Sequence, residues 1–299
     1  MTNGAWTPAA IRWMVASMLP RSRGSSIRCA RALVLVTALL ALGCPTSRHA
    51  PITGRVETED LPSQLVGDTY RLWVRLPPEY DQATERHYAV VYQLDANFLA
   101  LDQFNVSAGA VSDLAARSLV PEAIVVGIGY PSQDVDQTKG RFRDYTVANS
   151  VYGTGGAGAF LRFLAEELFP HIEAKYRALS TGRTISGHSL GGFFALHSLM
   201  QPAPLFENFI AADPSFADAK AALFDEVAAF APPDGAHFRV YLSLATIDDA
   251  EQNIYFEAFY PRLQSHSAVT LKTERFQAYH TDIVTPSFES GLEFTLGAP

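Results

Sequence analysis

A serine, a histidine and a carboxylate are the residues of this chain whose types and order could do covalent chemistry. Ser189 lies in Gly187-His188-Ser189-Leu190-Gly191, between a short β-type run, Arg183 to Ser186, and an apolar helical run, Leu190 to Met200. In a strand-turn-helix setting, G-x-S-x-G places its serine on a sharp turn with strained backbone and an exposed hydroxyl, where the backbone crowds so closely that the flanking positions must be glycine. Outside that setting the pentapeptide is only a glycine-rich helix start. A serine hydroxyl is a poor nucleophile at neutral pH, so it needs a base that takes its proton during attack and returns one to the leaving group.

Eight histidines are available. His49 lies in a polar stretch, His87 and His237 precede strands, and His171, His197 and His266 fall in or beside helices. His188 adjoins the nucleophile, but the tight turn points its side chain elsewhere. His280 stands after the last strand and before the final helix, in the order nucleophile, acid, histidine, and is the predicted base. The third member should be a buried carboxylate that sets the imidazole tautomer. Asp248, just beyond the apolar strand ending at Leu244, is the expected acid. Asp249 and Glu251 are close enough to substitute, Asp213 after Asn208 to Ala212 is a further candidate, and a backbone carbonyl or water could take the same place. The oxyanion needs two donors: the backbone N–H of Leu190, and one from the loop after the Tyr88 strand, near Asn97.

Short β-rich runs alternate with helical patterns along the chain. Tyr70 to Leu76 alternates as a half-exposed strand does, whereas Tyr88 to Leu94, Ala123 to Gly129 and Arg239 to Leu244 are near-continuous apolar runs, suited to strands buried on both faces. Helical patterns cover about Asn97 to Leu119, Gly156 to Tyr176, Leu190 to Met200, Ala217 to Phe230 and Ile254 to Ser265, with a last helix from about Pro286. This order predicts an α/β protein with a mostly parallel sheet. Ligands of such sheets bind outside the carboxyl ends of the strands. Asp95, Asn97, Ser189, Asp248 and His280 each closely follow a strand, as that rule requires.

Ahead of the domain, Arg21, Arg23, Arg28 and Arg31 precede an uncharged run, Ala32 to Gly43, that ends at Cys44. About 12 apolar residues suit a signal peptide, against the roughly 20 of a membrane-spanning helix. Leu40-Ala41-Leu42-Gly43-Cys44 resembles a bacterial lipobox, although Ala41 and Leu42 depart from its usual pattern. The expected partition is a cleaved signal segment at 1–43, a tether or edge segment at 44–66 and one domain at 67–299. Cys44 would carry the lipid, making the protein an exported lipoprotein of the bacterial envelope held at a membrane surface. Residues 1–43 hold five arginines and no acid, so the mature chain would carry 18 basic against 31 acidic residues. Such a surface argues against a nucleic-acid partner. No H-E-x-x-H or paired-cysteine spacing occurs. Gly153-Thr154-Gly155-Gly156-Ala157-Gly158 lacks the lysine of a phosphate loop and reads as a flexible lead into a helix. No metal or cofactor is predicted.

Beyond these motifs, the chain from about Tyr70 to Leu296 resembles the esterase D-like branch of the α/β-hydrolases, which contains enterochelin and related siderophore esterases. Tyr70 to Tyr80 is similar to the family's opening strand and "LPPGY" turn, Val91-Tyr92-Gln93-Leu94-Asp95 to its "YVLDG" strand, and Arg143-Asp144-Tyr145-Thr146 to its "RDYT" signature near the active-site mouth. Ala159 to Tyr176 followed by the elbow resembles the helix-and-elbow block, Asp213-Pro214-Ser215 the "PS" turn, and His280 through Phe294 the block with the catalytic histidine. Ala96 stands where the family has glycine, and Ala245-Thr246 replaces a common "GE", which leaves the acid open. The resemblance implies an α/β-hydrolase fold and serine-dependent hydrolysis of a small-molecule carboxylic ester. Siderophore and other acyl esters are both within its range. The rivals are an acyltransferase with the same residues and a catalytically silent binding lipoprotein.

Overall fold

The computed structural model describes residues 49–98, 101–131, 135–148, 150, 153–217, 220–247 and 250–298. The expected signal segment, Cys44 and the carboxylates Asp248 and Asp249 lie outside them. Eight strands, β1 (Arg55–Ser63), β2 (Asp68–Leu76), β3 (Val90–Gln93), β4 (Ile124–Gly129), β5 (Thr184–His188), β6 (Asn208–Ala212), β7 (Phe238–Ala245) and β8 (Val269–Phe276), form one sheet. Their order is β1-β2-β4-β3-β5-β6-β7-β8. β2 runs antiparallel to both β1 and β4, and every pairing from β4 across to β8 is parallel. This is the α/β-hydrolase fold. Its parallel part brings the carboxyl ends of β3, β5, β6, β7 and β8 to one edge.

β3 to β6 are buried throughout, which explains their unbroken apolar runs: helices cover both faces of the sheet. On one face, α1 (Gln103–Ala116) packs with the C-terminal helix α8 (Val284–Leu296). Phe104, Val111 and Leu114 meet Val284, Phe288 and Leu292 there, over Val125, Ile210 and Tyr241 of the sheet. The other face holds an aromatic layer in which Tyr70 stacks on Phe163 at 4.2 Å and Phe160 meets Tyr145 and Phe194. Helices α5 (Leu190–Leu199), α6 (Lys220–Ala229) and α7 (Ala250–Gln264) follow β5, β6 and β7.

Three features differ from the sequence expectation or refine it. Of the two readings of 44–66, tether or edge segment, the residues 55–63 take the second: β1 pairs with β2 along its whole length. Its polar composition and Pro62 suit the outermost strand, where one ladder of backbone groups faces water. A helix, α2 (Val135–Asp144), lies in a stretch that carries no apolar periodicity. The single helix expected over 156–176 is α3 (Ala157–Phe163) and α4 (Phe169–Lys175) joined by a π-helical turn, Leu164–Leu168. Pro170 stands in the first turn of α4 without an N–H to give, and the wider turn before it accommodates that missing bond.

Candidate active site

Ser189 stands between the end of β5 and the start of α5 with φ 60° and ψ −120°, a conformation an L-residue adopts only under constraint. The constraint is visible on both sides of the turn. A Cβ at Gly187 would land 2.4 Å from the backbone of Gly191, so this position admits no side chain. Ser189 N–H donates to Ala212 C=O at 2.9 Å, Ser215 N–H donates to Ser189 C=O at 3.0 Å, and the two hydroxyl oxygens lie 3.1 Å apart. The elbow is thus clipped to the turn after β6 by the backbone N–H and C=O of Ser189.

His280 follows β8 and reaches that same turn. Its Nδ1 lies 2.6 Å from Oδ2 of Asp213; a carboxylate oxygen accepts, so Nδ1 carries the proton and Nε2 is left as the basic nitrogen. Asp213 is 5% exposed and His280 34%, which places the carboxylate inside and the ring at the surface of the site. The carboxylate bonded to the imidazole is therefore Asp213, the further candidate after β6. Asp248 and Asp249 lie outside the described residues, and Glu251 instead opens α7, where it accepts the Tyr255 hydroxyl. The physical reason is sheet order: β6 lies next to β5, so an acid at its carboxyl end is one strand from Ser189. Asp213 sits at φ 42° with its N–H bonded to Ser243 C=O, and its Oδ1 is buried with no partner among the described residues.

His188, weighed by sequence as a second base, has a different place. Its Nε2–H donates to the carbonyl of His280 at 2.8 Å, and the two rings lie 4.3 Å apart. Burial, reinforced by the nearby His280, holds its imidazole well below the usual histidine range, so it stays a neutral donor. The sequence signal was only its adjacency to Ser189.

The expected oxyanion donors lie at the same edge. Leu190 is the first residue of α5, where a helix leaves its N–H groups without intrahelical partners. Asn97 lies in the loop after β3, and its side chain clasps the end of β4: Nδ2 donates to Tyr130 C=O at 2.9 Å and Oδ1 accepts Tyr130 N–H at 3.2 Å. Gly129 leaves room for it, since a Cβ there would meet Asn97 Oδ1 at 2.2 Å. Beside it, Asp95 at φ 54° is buried against Gly191 and accepts from Arg141 Nε at 2.8 Å. Burial pushes the Asp95 carboxyl up and Arg141 opposes it. Tyr145 closes the loop by accepting Asp95 N–H at 3.2 Å.

The model of the putative esterase family matches residues 63–258. The chain belongs to this family. Among curated relatives, the chain is 32% identical over 186 residues to the ferri-bacillibactin esterase BesA of Bacillus subtilis, covering 57% of this chain and 61% of that one. It is also 32% identical over 158 residues to the siderophore enterobactin esterase of Emericella nidulans, covering 48% and 51%. The chain thus spans between half and two thirds of the length of these relatives. Among solved structures, the BES protein of Bacillus cereus superposes with a TM-score of 0.69 at 25% identity, covering 86% of this chain and 100% of that one. An IroE-like serine hydrolase from Shewanella oneidensis has the same fold at a TM-score of 0.69 and 24% identity, covering 80% and 79%.

In this member of the family the "RDYT" residues act as scaffold. Arg143 and Asp144 bind each other and β2, while Tyr145 reaches the loop of Asp95. The turn Asp213-Pro214-Ser215 touches both Ser189 and His280.

Proposed function

We propose that the protein is a serine-dependent carboxylic ester hydrolase that works through an acyl-enzyme, with Ser189, His280 and Asp213 as its triad. The observation that carries this reading is the 2.6 Å bond from His280 to Asp213, made by the same turn that is clipped to the strained Ser189. In the proposed reaction Ser189 Oγ attacks the ester carbonyl as its proton passes to His280 Nε2. The C=O π electrons move onto oxygen, where the backbone N–H groups of Leu190 and Asn97 receive them. Collapse expels the alkoxide, which takes the proton from Nε2 and leaves as an alcohol. Water then attacks the acyl-enzyme by the same route, releasing the acid and restoring Ser189. Asp213 holds the ring and stabilises the imidazolium without itself taking the proton.

A fluorophosphonate probe should label the intact protein and fail on Ser189→Ala, whose kcat should fall by about a millionfold. An unlabelled wild-type protein would overturn the reading. Siderophore esters are the first substrates to test, a choice supported by the names of the relatives. Turnover of a ferric catecholate triester against simple aryl esters tests that, and failure to cleave the triester discards it. Products formed with added alcohol separate hydrolysis from acyl transfer. From the sequence alone we also infer export and lipidation at Cys44. Incorporation of labelled fatty acid that is lost in Cys44→Ala is the expected result, and incorporation that persists in that variant would refute it.

A further inference from the structure

Two hydroxyls 3.1 Å apart share one hydrogen bond, and either could donate it. The chemistry of Ser189 decides the direction. A nucleophile that must pass its proton to His280 cannot also spend that proton on Ser215, so the bond runs from Ser215 to Ser189. We infer that Ser215 is a positioning residue for the nucleophile: its hydroxyl donates to Ser189 Oγ and so aims the Ser189 proton toward His280. This inference rests on Ser189 acting as the nucleophile.

The backbone supports it. Ser215 N–H is bonded to Ser189 C=O at 3.0 Å, and Ser189 N–H to Ala212 C=O at 2.9 Å, so the two residues are held face to face before their side chains meet. Phe216 N–H bonded to Pro214 C=O at 2.8 Å tightens the turn around Ser215, and Gln252 Nε2 donates to Pro214 C=O at 3.0 Å from α7. A donor held this way needs little reordering when attack begins. The benefit grows along the reaction. As the proton leaves Ser189, negative charge develops on Oγ, and a hydrogen bond to a charged acceptor is stronger than one to a neutral hydroxyl. Once Oγ has bonded to the acyl carbon it is an ester oxygen and a poorer acceptor. The contact therefore favours the transition state of attack over the bound substrate, and its loss should appear in kcat rather than in KM.

The test uses the full chain and two measurements: the second-order rate of fluorophosphonate inactivation, and kcat and KM on an aryl ester. Ser215→Ala is expected to lower the inactivation rate and kcat together by about fivefold to tenfold, with KM and Tm unchanged, because the backbone clips remain. Ser215→Thr keeps the hydroxyl and should restore both rates to within about twofold of wild type. Wild-type rates in Ser215→Ala would overturn the inference, as would equal slowing in the Ala and Thr variants, which would mean a packing role. Should the Ala variant fail to fold, Ser215→Cys supplies a weak donor of similar size, and a wild-type inactivation rate there overturns the inference equally. Failure of the nucleophile reading looks different, because the probe would then leave wild type unlabelled.

Discussion

Two buried carboxylates at the carboxyl side of the sheet are treated in opposite ways. Asp144, which ends α2, is saturated: Tyr70 and Tyr130 donate to its Oδ2 at 2.8 Å each, and Arg143 bonds both oxygens at 2.6 and 3.0 Å. Asp213 gives one oxygen to the ring of His280 and keeps the other buried without a partner among the described residues. A carboxylate gripped by four donors fixes the elements that grip it and has nothing left to offer a changing charge. One held by a single imidazole leaves its field concentrated on that ring, where the charge appears when His280 takes a proton. Buried acid by itself therefore says little about chemistry; the identity of the partner decides.

The largest effect should come from breaking the second arrangement. Asp213→Asn keeps shape but reverses the hydrogen-bond demand on Nδ1, and kcat should fall by about 10⁴ with the fold intact. Asp248→Asn should leave kcat within about threefold of wild type, since the imidazole already has a carboxylate in Asp213. Steady-state kinetics on one ester, read beside circular dichroism, compares the two. A dead Asp248 variant beside an active Asp213 variant would return the acid to the turn after β7.

The first arrangement should fail in stability instead. Asp144→Ala strands Arg143 and two buried tyrosine hydroxyls, and should cost about 3–5 kcal/mol of unfolding free energy, the range for breaking a buried pair. Urea unfolding measures it. For the fraction still folded, kcat should fall far less than in Asp213→Asn, because Asp144 reaches the site through Tyr130 and Asn97 rather than through Ser189 or His280. A stable but inactive Asp144→Ala would erase the contrast between the two carboxylates.

How much of this was legible in the sequence follows from the reach of each signal. Ser189 was legible because its constraint is local: Gly187 lies too close to the Gly191 backbone to carry a side chain, and both glycines are visible within five residues. His280 was legible from chain order. The carboxylate bonded to it was not, because β6 and β7 are neighbouring parallel strands that end at the same edge, and the sequence cannot say which turn folds over the histidine. The replacement of "GE" by Ala245-Thr246 was the hint that left the acid open. α2 escaped notice because Gly140 and its charged neighbours hide a helix whose worth lies in Arg141 and Asp144, two contacts made far from their own place in the chain. The role of Ser215 was invisible for the same reason: a Pro-Ser pair reads as a turn until the opposing hydroxyl is seen.

The smallest effect concerns His188, the residue that joins β5 to the loop of His280. His188 is neutral in the fold, held well below the ordinary histidine pKa of about 6.5 by burial and by His280. In the unfolded chain it takes up a proton as pH falls through 6.5, while the folded protein does not. The unfolded state therefore binds more protons below that point, and the sign of the linkage is that stability is fully present above about pH 6.5 and is lost on acidification. The slope approaches about 1.4 kcal/mol per pH unit for one proton. Urea unfolding of wild type and His188→Gln at pH 7.5, 6.5 and 5.5 should give curves that converge as pH falls, since glutamine has no proton to gain. Parallel curves would mean that His188 is protonated in the fold. Two adjacent imidazolium rings would then form whenever His280 accepted a proton, and the neutral clamp on the base would have to be abandoned.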